Sequence, residues 1–439
     1  MITRIRHATV VTMNPEREIL KNTDIWIDER TIVAIEHRDA TPDRTIDADN
    51  MIAIPGLIQP HIHLCQTLFR GLADDLSLLE WLSGRIWPME AALDAKAMRI
   101  SCLSGIAELI AGGTTTILDM GSLRHTETIL QTLLDTGMRG YTGKCLMDRP
   151  NRFLMEGREE ALQESYGLAR RWHNRDRGRI RYAPAPRFTL SASDEMFAGA
   201  RILADTFRTV LHTHAAETQD EISEALKLHN RPPVSHLHHL NVLGPNTVIA
   251  HGVWMNPDEE GMVADTRAKV VHCPSSNLKL ASGVAPTARW EQHGVTFGIA
   301  ADGAACNNFL DGFQEMRTAA LLAKPFFGAS TLPASNIFAH ATIEGARVLG
   351  LEQEVGSLEV GKEADIVLLD FTGPHHQLWE WTPIYSQLVY QTRASDVSLT
   401  MVGGQVLYEK GQYHTVELDE IRHQAPEALA GVLRRMDNG

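Results

Sequence analysis

Residues 56–63 read GLIQPHIH. An apolar run enters after Pro55-Gly56 and ends on His61 and His63. Side chains alternate between the two faces of a strand, so these imidazoles point to one side, which suits two ligands on one ion. An H-x-H pair alone is a weak signal. Here it is the first of five polar signatures, followed by HAAE at 214–217, HG at 251–252, HCP at 272–274 and DG at 302–303. Each signature, or the residue beside it, closes a short run that reads as a buried strand.

The rhythm extends along the middle of the chain. Strand candidates lie at 56–63, 114–120, 140–148, 179–188, 209–217, 247–252, 269–277 and 295–303, and most gaps hold helix-like segments such as AMRISCLSGIAELIAGG. Strands alternating with helices over roughly 250 residues predict an α/β protein, a (β/α)8 TIM barrel over 56–355, with polar groups gathered at the C-terminal strand ends. Residues 1–55 and 356–415 read as short β-strands with turn residues between them. Neither end has enough strands to be stable alone, so one small β-sandwich domain built from both is expected. Residues 417–435 read as a helix within a C-terminal stretch 416–439.

Of 439 residues, 44% are hydrophobic and 22% charged, ordinary values for a soluble globular chain. A net charge of −14 without long basic runs argues against nucleic acid as a partner. Five cysteines, widely spaced and without a C-x-x-C pair, suit a reducing cytosol. The opening residues lack the apolar core of a signal peptide, and no run of 18 apolar residues suits a membrane span. A cytoplasmic enzyme with no membrane partner is the expectation.

His61, His63, His214 and Asp302 add up to three imidazoles and a carboxylate, an N/O set suited to Zn2+ or Fe2+. Taken alone, Asp302 beside Gly303 would read as a cap on the next helix, but in this setting the ligand reading prevails. Glu217, three residues past His214, offers proton shuttling beside a metal-activated water, or a carboxylate at a helix start. His251 is a further ligand, a holder of water or substrate, or a core histidine. For His272 a structural role is as good a reading as a functional one.

PGLIQPHIHLCQTLFRG, LLEWL, GGTTT, HTHAAET, HCPSSNLKLASGVAP, ADGAACNN and GSLEVGKEADIVLLD together resemble the amidohydrolase superfamily across nearly the whole chain. Within it the chain is similar to the mononuclear deaminases: guanine deaminase, adenosylhomocysteine/methylthioadenosine deaminase and, further off, the triazine hydrolases. The resemblance implies one Zn2+ per chain on His61, His63, His214 and Asp302, with Glu217 as proton shuttle and His251 and Asp302 holding the attacking water. Binuclear members carry a carboxylated lysine on strand four. RIRYAPAPRF has none, and Lys144 on strand three reads as structural. Homo-oligomers are common among such enzymes.

The implied reaction is hydrolytic deamination of a small heterocycle, and the motifs point two ways on which. GLADDLSLLEWLSGRIWPMEAAL resembles the thioether-nucleoside deaminases, where a glutamate in the place of Glu90 binds ribose, with Trp81 as a rim aromatic. GKCLMDRPN and APRFTLS resemble guanine deaminase, which implies that Arg187, Phe188 and Gln66 read a purine. An arginine fork suits ring carbonyls and a phenylalanine stacks on a flat ring. The expectation is therefore an amino-substituted purine or related fused heterocycle, guanine-like first, nucleoside-type 6-aminopurines second and s-triazines third. A non-catalytic scaffold of the same superfamily is the contrasting class, and the intact ligand set argues against it.

Overall fold

Leu57–Ile62 forms β1 of eight parallel inner strands in the computed structural model, which describes residues 1–437. The others are β2 (Thr114–Asp119), β3 (Arg139–Thr142, resumed at Cys145–Leu146), β4 (Ile180–Tyr182, resumed at Ala185–Pro186), β5 (Leu211–Ala215), β6 (Thr247–His251), β7 (Lys269–His272) and β8 (Phe297–Ile299). Every residue of β1 and β2 is buried, as expected of parallel strands covered on both faces.

Ladders run from β1 through β4 and from β5 through β8. Two seams close the ring. The His212 N–H donates to Pro184 O at 3.1 Å and that of His214 to Arg187 O at 2.9 Å, joining β4 to β5. Past β8, the Asp302 N–H donates to His61 O at 3.2 Å, and Ile62 bridges Asp302. The result is an eight-stranded barrel without a free edge.

Helices Ala95–Ala111, Thr126–Thr136, Arg158–Trp172, Asp194–Phe207, Gln219–His229, Pro257–Thr266 and Thr287–His293 fill the connections in order, and Gly312–Phe327 follows β8. Asp94, Ser193, Thr218 and Asn256 cap four of them, accepting N–H groups of the first turn. Each such cap stabilises its helix by about 1 kcal/mol.

The strands of the two chain ends pair into one nine-stranded sheet, with Met51–Pro55 from one end beside Ile366–Asp370 from the other. The two chain ends thus build one β-domain, as expected, and its hydrogen bonding runs continuously from strand to strand. Ile25 and Ile27 near one edge and Leu399 and Met401 near the other share one apolar cluster. Gly56 alone separates this sheet from β1. A Cβ there would lie 2.1 Å from Thr115 Oγ1, so the close approach of β1 to β2 requires glycine. Buried Arg139 fastens the barrel to the sheet, its fork on Asp365 at 2.9 and 3.0 Å and one nitrogen 3.1 Å from Glu363.

Leu418–Asp437 is the expected C-terminal helix, and residues 438–439 of that stretch lie outside the described residues. It packs on Ala95–Ala111 and pairs Arg435 with Asp94 at 2.9 Å. No helix among the described residues is long and apolar enough to cross a membrane.

Candidate active site

The five signatures meet at one end of the barrel, save for His272. His61 and His63 arrive on β1, His214 on β5, His251 on β6, and Asp302 just beyond β8. Asp302 Oδ1 lies 3.2 Å from His61 Nε2 and 3.3 Å from His63 Nε2, and the Nε2 atoms of His63 and His214 are 3.2 Å apart. His251 Nε2 is 3.5 Å from Glu217 Oε2 and 3.8 Å from Asp302 Oδ2. All six residues are buried or nearly so. Three of the strand-end turns are tight: Ala216, His251 and Asp302 hold φ of 56°, 75° and 65°, a region that residues other than glycine rarely adopt.

A further set of buried groups orients these side chains. His212 Nε2 meets His61 Nδ1 at 2.8 Å, and the Arg187 carbonyl accepts from His214 Nδ1 at 2.9 Å. Asn277 Oδ1 lies 2.9 Å from His251 Nδ1. Ser276 donates to Asp302 at 2.7 Å and Ser282 to Glu217 at 3.1 Å. Glu221 accepts the backbone N–H groups of Ala216 and Glu217 at 3.2 and 2.7 Å. Sequence reasoning assigned none of His212, Ser276, Asn277, Ser282 or Glu221. The signal for His212 was in plain view, since H-T-H at 212–214 repeats the spacing of His61 and His63.

Burial and charge set the protonation. Burial lowers His61, and lowers His63 and His214 well below the ordinary imidazole range, leaving neutral rings with lone pairs to give. Burial also opposes the charge on Asp302, but the facing imidazoles of His61, His63 and His251 outweigh it and hold the carboxyl well below its usual range. Burial raises Glu217 and pushes Glu221 up to about 7.

The donors fit a metal ion. His61 Nε2 is buried without a hydrogen-bond partner, and ligand atoms of His61, His63 and His214 all lie within 4.8 Å of one another. His61 Nε2 faces Asp302 Oδ1 at 3.2 Å, an arrangement that a shared cation satisfies. Lys144 is no bridge for a second ion, because its amine is held by Glu156 and Glu164 at 2.8 Å each. His272 is buried against Trp290 and is pushed down to about 3 by burial, outside the cluster.

The cluster floors a narrow pocket. Its walls carry Leu78, Trp81, Leu82, Phe188 and Leu280. The first three come from the helical run Leu78–Trp81, Leu82–Ile86 and Trp87–Ala91, and Trp81 Nε1 is a buried donor without a partner. Arg187 and Phe188 line the cavity as expected, whereas Gln66 and Glu90 stand behind the lining. The reason is a buried network. Glu90 takes both arms of the Arg187 fork at 2.7 and 3.2 Å and also accepts Gln66 Nε2 at 2.9 Å. The residues that pointed to two different substrates are thus one hydrogen-bonded unit.

Comparison with known proteins agrees with this geometry. The amidohydrolase family model matches residues 52–407. The chain belongs to the amidohydrolase family. It is 36% identical over 426 residues to the 5'-deoxyadenosine deaminase of Methanobrevibacter smithii, covering 97% of each chain. It is 35% identical to the 5-methylthioadenosine/S-adenosylhomocysteine deaminase of Symbiobacterium thermophilum, covering 98% of this chain and 99% of that one. Among solved structures, an adenosine deaminase from Xanthomonas campestris with bound zinc superposes with a TM-score of 0.92 at 29% identity, covering 98% of both chains. Membership makes this amidohydrolase a hydrolase. Deaminase relatives spanning its length place that hydrolysis at C–N bonds of cyclic amidines, as the motifs imply.

Proposed function

We propose that the protein is a zinc-dependent aminohydrolase of 6-aminopurine nucleosides, with those carrying an apolar 5′ substituent preferred. One observation carries this reading: Glu217, His251 and Asp302 converge on the imidazole cluster at the floor of a cavity whose walls are largely apolar. The names of the relatives favour a nucleoside over the free oxo-purine that the APRF segment suggests. The engagement of Arg187 with Glu90 supports the same choice, because it occupies the fork that would otherwise read ring carbonyls.

His61, His63, His214 and Asp302 are the proposed zinc ligands. Zinc held there supplies Lewis acidity, making water a competent nucleophile near neutral pH. Asp302 and His251 orient the water and take up its proton. Glu217, whose raised affinity for a proton suits a general acid, protonates the ring nitrogen next to the attacked carbon. The water oxygen bonds to that carbon, the exocyclic amine takes a proton, and the C–N bond breaks to release ammonia and leave an oxo-purine nucleoside. Trp81 Nε1 offers an unused donor to the substrate, and Phe188 a face for its base.

The test is ammonia release by zinc-loaded protein from 5′-deoxyadenosine, methylthioadenosine, adenosylhomocysteine, adenosine and guanine. The expected order places the first two highest in kcat/KM. Guanine as the best substrate would overturn the nucleoside assignment and return base reading to Arg187.

A further inference from the structure

Between Ile366–Asp370 and Val397–Val402 the chain leaves the outer sheet on a long excursion that returns at the turn Ala394–Asp396. Its start and finish are held together. His375 Nε2 lies 3.1 Å and His376 Nε2 3.3 Å from the same oxygen, Oδ2 of Asp396. The His376 side chain is fully buried, that of Asp396 is 9% exposed and that of His375 29%. This group is far along the chain from the active-site signatures and shares no residue with them.

His376 Nδ1 is engaged by the Gln387 amide at 3.2 Å, and that amide also meets the Thr382 hydroxyl. The Nε2 atoms of both histidines are thus left to face one carboxylate oxygen.

The arrangement is that of a metal site. Tetrahedral zinc with bonds of about 2.0–2.1 Å has ligand atoms about 3.3 Å apart, close to both separations seen here. Phe371 stacks on the His376 ring at 3.8 Å with a 6° interplanar angle, and the Arg393 N–H donates to Asp396 Oδ2 at 2.8 Å. Gln387, Phe371 and Arg393 thus supply the outer support that orients ligands. We propose that His375, His376 and Asp396 form a second metal site, for Zn2+ or a similar first-row divalent ion. Its fourth position takes water. Metal binding there clips the base of the excursion, which carries exposed Leu378 and Trp381, and its binding energy adds to folding.

Zinc per chain is counted in full-length protein saturated with Zn2+ and freed of loose metal by gel filtration, for wild type, His375→Gln and Asp396→Asn. Two equivalents are expected in wild type and one in each variant, with ammonia release retained. One equivalent in wild type, or two in both variants, overturns the proposal and leaves a purely hydrogen-bonded trio. Should Asp396→Asn fail to fold, His375→Gln at its half-buried position still decides. Cobalt gives a second readout: the second equivalent should show the visible absorption of a four-coordinate ion in wild type and lose it in His375→Gln.

Discussion

The floor of the cavity comes from strand ends, and its wall comes from loops. On the floor, His61, His214, His251, Glu217 and Asp302 are each pinned by a second buried group: His212, the Arg187 carbonyl, Asn277, Ser282 and Ser276. The wall is assembled from the segment after β1, the residues after β4 and the stretch after β7, meeting through apolar contact and the Arg187–Glu90 pair. A rigid floor with a replaceable wall lets one reaction serve many substrates, because loops change without disturbing the strands that hold the chemistry.

The sharpest test of the floor is Glu217→Gln. It keeps size and hydrogen bonding but removes the proposed proton donor, so kcat should fall by about 10²–10⁴-fold with bound metal unchanged. Equal loss of metal and activity would break the distinction between ligand and acid.

For the wall, Arg187→Ala leaves Glu90 charged and unpaired in a site where both side chains are about 5–6% exposed. Destabilisation of about 3–5 kcal/mol is expected in urea unfolding, far more than for the double change Arg187→Met with Glu90→Leu. If Arg187→Ala unfolds like wild type yet loses turnover, the arginine serves substrate rather than scaffold.

Beneath the floor, buried Glu315 accepts from Ser275 and Asn307 and is pushed by burial up to about 7. The folded state therefore holds its proton more tightly than the unfolded chain does. Its contribution favours folding most below about pH 4.5 and is lost as pH rises to about 7, by up to roughly 3 kcal/mol. Glu315→Gln should flatten that slope in unfolding experiments at several pH values. Phe188→Ala should have the smallest effect, raising KM for the best nucleoside about tenfold with kcat nearly kept.

The same contrast explains what the sequence made legible. Barrel strands, helices and floor residues obey local rules: period-two alternation, buried apolar runs and signatures at run ends. His61, His63, His214, Glu217, His251 and Asp302 could therefore be picked out before any coordinates. The Glu90–Arg187 contact joins residues 97 apart and depends on how one loop lies against another. No local pattern encodes that, so two segments of one network read as evidence for rival substrates. The outer sheet shows the same limit. Its strands and their joining across the chain ends were recognisable, but their order and register were not.

The left-handed backbone at Ala216, His251 and Asp302, a conformation also found at other turns of the chain, puts strain at the strand ends. Such conformations cost about 1–3 kcal/mol each and persist only because the surrounding barrel enforces them. The barrel must therefore be more stable elsewhere than folding alone demands. Relieving the strain at these turns would gain stability but would loosen the floor. Stabilising this enzyme without slowing it means leaving the strand ends strained and reinforcing the frame around them.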